Sequence, residues 1–116
     1  MNFFEKYRDQ IFYNLASAQL TNFDYQNAIN NYTKSIEYDD NDEFVYLYRG
    51  NAKFKLEDYQ GSSIDYGKSL EVNERSYIAF NNRGVSNFKL KNYRVALEDF
   101  KKSLKINPRN YSTLYN

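Results

Sequence analysis

The sequence predicts an all-α fold, a short α-solenoid of stacked helix hairpins. Residues 24–40 read DYQNAINNYTKSIEYDD, residues 58–74 DYQGSSIDYGKSLEVNE and residues 92–108 NYRVALEDFKKSLKINP, one pattern repeated at an interval of thirty-four residues. Within each copy, large and small residues recur at helical spacing. One Pro and four Gly in 116 residues leave little punctuation, which suits helices joined by short turns.

In chain order, Phe3 and Phe4 stand one helical turn before Tyr7, so residues 1–8 extend the first helix backwards. The copies run 9–42, 43–76 and 77–110, each with two helical stretches. In the first stretch, Phe12, Tyr46 and Phe80 take the fourth place, small Ala16, Gly50 and Gly84 the eighth, and Leu20, Phe54 and Phe88 the twelfth. In the second, Tyr25, Tyr59 and Tyr93 lead, followed by small Ala28, Ser62 and Ala96. The rings of Tyr32, Tyr66 and Phe100 come next, then Ser35, Ser69 and Ser103 beside Ile36, Leu70 and Leu104. Small facing large is what two close antiparallel helices require, and the core is expected on Phe80, Tyr93, Phe100, Leu104 and their equivalents.

Asp24, Asp58 and Asn92 are expected N-caps of the second helices, and Asp42, Ser76 and Asn110 of the helices that follow. Residues 111–116, YSTLYN, read as the start of a fourth helix pair with Leu114 at the large-residue place. The outer face of a last copy is apolar, so the 93–116 edge is expected to meet a partner or a second copy of the chain.

Two places change together. Arg49 and Arg83 are each followed sixteen residues later by Asp65 and Asp99, whereas the first copy has Leu15 and Asn31 there. Arg49 is therefore expected to pair with Asp65 and Arg83 with Asp99, each across its own hairpin, as partly exposed pairs of small energetic weight.

Chemistry has little to work with. The chain has no His and no Cys, which leaves no Ser-His-Asp or Cys-His set and no disulfide, and it carries no phosphate-binding glycine loop. No catalytic residue, cofactor or metal site is expected. Asp39, Asp40, Asp42 and Glu43 read as a solvated turn before a helix N-terminus. Sixteen basic and fifteen acidic residues nearly cancel, so nothing argues for nucleic acid or an anionic membrane. No apolar run approaches the ~18 residues of a spanning helix. The N-terminus MNFFEKYRDQ lacks the apolar stretch of a secretory leader, and the expected location is cytoplasmic.

The thirty-four-residue unit resembles the tetratricopeptide repeat family, whose pattern W-x2-L-G-x2-Y, A-x3-F, P is carried best by Phe80, Gly84, Ala96, Phe100 and Pro108. Gln19, Lys53 and Asn87 depart from its Tyr, Arg49 and Arg83 from its Leu, and Asp40 and Glu74 from its Pro. The resemblance implies a right-handed superhelix whose first helices line a concave groove that binds a protein or peptide segment without catalysis. The groove residues it implies are Tyr13, Asn14, Ser17, Phe44, Tyr48, Asn51, Lys55, Ile78, Asn82 and Lys89. Asn side chains both donate and accept, as a peptide backbone does, and the rings offer flat anchors. Some members of the family clamp the carboxylate of chaperone tails with Lys, Asn, Asn, Lys and Arg. The matching places here hold Tyr13, Ser17, Tyr48, Ile78 and Asn82, none a cation, so that clamp is not expected. The alternative is an assembly module that docks or self-associates through the 93–116 edge.

Overall fold

The computed structural model describes residues 2–109. Six helices follow one another: α1 Phe3–Thr21, α2 Tyr25–Tyr38, α3 Glu43–Lys55, α4 Tyr59–Val72, α5 Tyr77–Lys89 and α6 Tyr93–Ile106. They pair as three antiparallel hairpins, and each hairpin stacks on the next through α2 on α3 and α4 on α5. The array is elongated, 48 × 25 × 20 Å. Asn110 and Leu114, with the rest of the fourth copy, lie outside the described residues.

Each hairpin closes where a small residue meets a ring. A Cβ placed on Gly50 would lie 2.8 Å from Cε1 of Tyr66, and one on Gly84 2.5 Å from Cε1 of Phe100. In the first hairpin Ala16 and Tyr32 share one cluster, both fully buried. A repeated bond fixes the helix ends: Ser35, Ser69 and Ser103 donate through Oγ to the carbonyls of Asp9, Glu43 and Tyr77 at 2.8, 3.0 and 2.9 Å.

The two ion pairs form across their own hairpins. Arg49 binds Asp65 through Nε at 2.9 Å and Nη2 at 2.7 Å, and Arg83 binds Asp99 through the same atoms at 2.9 Å each. They are far more buried than the sequence implies. Asp65 has no exposed surface and Asp99 2%, because the chain buries them between the two helices that Gly50 and Gly84 bring together. Lys53 adds a second cation 3.1 Å from Asp65. Arg49 also reaches back to Thr33 Oγ1 at 3.2 Å, tying the second hairpin to the first. The first copy keeps a neutral version, Asn31 Nδ2 donating to Gln19 Oε1 at 2.8 Å, and its Leu15 is left half-exposed.

Other expectations need correcting. Tyr93 is 56% exposed, and Phe80, Phe100 and Leu104 are only half-buried. Their equivalents Tyr32, Tyr46, Tyr66 and Leu70 are buried as expected, and with them many small residues, including Ala28, Ala52, Ala79, Ser62 and Ser86, with Ser62 and Ser86 hydrogen-bonded 2.8 Å apart where α4 crosses α5. Tight helix crossings consume small residues. Among the expected caps, Asp42, Asp58 and Ser76 accept from the N–H groups of Phe44, Gly61 and Ala79. Asp24 and Asn92 make no such bond, because Asn27 donates to the Asp24 carboxylate and Asn92 donates to Asn87. The turn inside every hairpin needs one left-handed residue, and Phe23, Glu57 and Lys91 supply it at φ 64°, 64° and 66°.

Removing Asp65 strands a buried guanidinium, so Asp65→Ala is expected to cost about 3–5 kcal/mol in urea unfolding. Asp99→Ala should cost less, because the Arg83 side chain stays 27% exposed against 10% for Arg49. Equal losses would contradict the burial argument. A second expectation concerns alkali. Burial pushes the Tyr32 phenol up to about 12 from 10, opposed by its bond to Ser17, and burial together with Asp65 raises Tyr66 as well. The unfolded chain loses these protons near pH 10 while the folded chain keeps them, so the unfolded state binds fewer protons there and stability falls as pH climbs from 10 towards 12. Tyr32→Phe should flatten part of that fall in pH-dependent melts; an unchanged slope would exclude Tyr32 as a source.

Candidate functional site

The first helices of all three hairpins, α1, α3 and α5, share one face, and together they wall a cavity of about 680 Å³. Their apolar stripes continue past the core to its rim, where Phe54 and Phe88 stand edge-on against Tyr59 and Tyr93 at 5.1 and 5.3 Å. Of the sequence-predicted groove residues, Asn51, Lys55, Asn82 and Lys89 come together here. A smaller cavity, about 350 Å³, opens towards the helix N-termini between the first two hairpins and takes Tyr13 and Asn14. Tyr48 stands over the Tyr13 and Tyr32 rings at 6.4 Å each and over Phe44 at 6.3 Å, an aromatic row with Phe44 half-exposed at its end. Ile78 is exposed at the start of α5 and lines neither cavity.

Two of the sequence-predicted groove residues bond within their hairpins, and Ser17 lines neither cavity. Ser17 Oγ is 2.9 Å from the Tyr32 hydroxyl, and Asn51 Oδ1 accepts from the Tyr66 hydroxyl at 2.6 Å. In the third hairpin Phe100 has no hydroxyl, and the place of Ser17 and Asn51 is taken by Val85. Polarity at the ninth place thus follows the hydroxyl of the facing ring. Asn82 Nδ2 makes one long bond, 3.4 Å, to Asn51 Oδ1.

The sequence reading missed Phe23 and Tyr25, which line the larger cavity from the first hairpin's turn, and it placed Phe54 and Phe88 in the core stripe. The signal for Phe23 was available: Glu57 and Lys91 hold the same place in the other copies, and an aromatic is out of character there.

The two cavities differ in charge. Lys55 and Lys89 line the larger one, where no Asp or Glu is present, and neither forms an ion pair among the described residues. Asp9, Asp39 and Asp42 line the smaller one. Asp39 and Asp42 also accept from the N–H groups of Asn41 and Phe44, the solvated-turn role expected of them. Burial, with the neighbouring Tyr48 and Asp42, raises the Tyr13 phenol above its ordinary range. Among the described residues, no helix is long and apolar enough to cross a membrane.

Family models described as tetratricopeptide repeat match residues 9–42 and 77–110. No curated protein sequence matches the chain. Among solved structures, the first such domain of Spaghetti (RPAP3), bound to the HSP90 peptide SRMEEVD, is similar at 21% identity over 92% of this chain and 85% of that one, with a TM-score of 0.89. The domain of Arabidopsis OM64 is 22% identical over 96% and 92%, TM-score 0.90. YrrB, described as a protein of this type with an unusual peptide-binding site, is 20% identical over 92% of this chain and 55% of that one, TM-score 0.87.

Proposed function

The chain belongs to the tetratricopeptide repeat family, and from that premise we propose that it is a non-enzymatic scaffold whose groove holds an extended peptide or a partner's peptide segment. The observation that carries this reading is the cavity of about 680 Å³ walled by the first helices of all three hairpins. Its size is that of a ligand pocket, and it combines apolar walls with a few polar groups, as such pockets do. Asn82 within it and exposed Asn14 beyond it offer donors and acceptors to a peptide backbone. Phe44 and Tyr48 offer rings that lose little freedom on binding. The location proposed for this activity is cytoplasmic.

Binding of a chaperone tail is a property of the RPAP3 domain. Here the five clamp places, Tyr13, Ser17, Tyr48, Ile78 and Asn82, hold no cation, and Asp9, Asp39 and Asp42 border that end of the groove. Like charges on ligand and protein repel, so an acidic tail seated in that register is disfavoured.

A second reading, self-association through the 93–116 edge, has one observation in its favour. Leu97 on α6 is 54% exposed, whereas Ser63 at the same place on α4 accepts from Asn87 of the next hairpin at 3.1 Å.

Selection of random peptides on the purified chain, followed by calorimetry of the enriched ones, tests the first reading. An Asn14→Ala/Asn82→Ala variant is expected to bind them about tenfold more weakly, two hydrogen bonds' worth, with an unchanged melt. No enrichment, or equal affinity for the variant, would contradict it. The same sample in sedimentation equilibrium is expected to be monomeric; a dimer abolished by Leu97→Arg would favour the second reading.

A further inference from the structure

We propose that the larger cavity takes an internal peptide segment in which a bulky apolar side chain stands beside one or two carboxylates. The proposal rests on the groove reading above and names what that groove selects.

Phe23 supplies apolar surface from an unfavourable place. The turn needs a left-handed residue, a conformation that favours glycine and penalises bulk. Glu57 and Lys91 meet the same need with polar side chains. Phe23 places a ring there with 77% of its surface exposed, meeting Tyr25 edge-on at 6.4 Å. Folding gains little from it. Phe88, which lines the same cavity, is 47% exposed. Two exposed rings lining one cavity, one from the first hairpin and one from the third, offer apolar surface for an aliphatic or aromatic side chain to cover.

The charged half comes from Lys55 and Lys89. They hold the same place in successive hairpins, are exposed, and have no ion-pair partner among the described residues, whereas Lys53 two residues away is spent on Asp65. They line the cavity with no acidic residue beside them, so a carboxylate next to the apolar anchor meets two cations. Both ammonium groups sit on exposed residues, which suits side-chain carboxylates passing the rim more than a chain end buried within.

The smaller cavity limits how far the acidity extends. Asn14 and Thr21, one in each cavity, are seven residues apart on α1, which is about 10 Å along a helix and about three residues of an extended chain. Over that distance the lining changes from Lys55 and Lys89 to Asp9, Asp39 and Asp42. A segment acidic throughout meets repulsion at one end. One that is acidic only beside its anchor is matched along its length.

The test uses three fluorescein-labelled peptides of about ten residues, both ends blocked, read by anisotropy. The first has two Asp beside a Phe-Leu pair in a neutral Ser/Gly background, the second Lys in place of Asp, and the third Ser in place of Phe-Leu. The first is expected to bind at least about tenfold more tightly than either other. Lys55→Glu/Lys89→Glu removes no ion pair among the described residues, but both lie in the last turn of a helix, so the melt should fall by a few degrees with the fold kept. It is expected to invert the order of the first two peptides, and Phe23→Ser to weaken both without touching their ratio. Equal binding of the Asp and Lys peptides, or a charge-swapped chain with unchanged preferences, overturns the proposal and leaves the groove reading standing. So does failure of all three peptides where library-selected peptides bind. Failure of the library selection as well brings down the groove reading itself.

Discussion

Every hairpin depends on one contact, a small residue on the first helix against a ring on the second. Ala16, Gly50 and Gly84 let Tyr32, Tyr66 and Phe100 approach to distances at which any larger side chain would collide. Once the helices are that close, Arg49 and Arg83 fall within reach of Asp65 and Asp99, and the serines at the far end reach the first helix's carbonyls. The ion pairs are then buried by a geometry they did not create. A buried pair seldom adds net stability over apolar packing, but losing one member is costly, so these pairs act to fix the register of the two helices.

The same contact shapes the groove. The ring that fills the hairpin reaches through to the ninth residue of the first helix, and Asn51 and Val85 at that place line the larger cavity. Where the ring carries a hydroxyl, Ser17 or Asn51 receives it; where it does not, Val85 stands there. Core and cavity therefore share residues, and a change at Asn51 disturbs Tyr66. Exposed Asn14, without a hydrogen-bond partner among the described residues, is the cleaner probe of recognition.

Much of this was legible in the sequence. The thirty-four-residue period set the hairpins, and the joint appearance of charge at Arg49 and Asp65, and again at Arg83 and Asp99, disclosed contacts sixteen residues apart. Helical periodicity says which side chains share a face. It does not say whether the next hairpin covers them, which is why Tyr93 was expected in the core and lies exposed. Caps failed for a similar reason: Asn27 competes for the Asp24 carboxylate, and Asn87 engages Asn92. Phe23 escaped notice because a turn residue lies outside the helical pattern; only its exposure and the cavity beside it give it meaning.

The central question is which face of the array meets a ligand. Amide shift mapping by NMR on the labelled chain, titrated with a library-selected peptide, measures that directly. The shifts are expected along α1, α3 and α5, around Asn14, Phe44, Asn82 and Lys89, and at Phe23. Shifts confined to the outer faces of α2, α4 and α6 would contradict the groove reading.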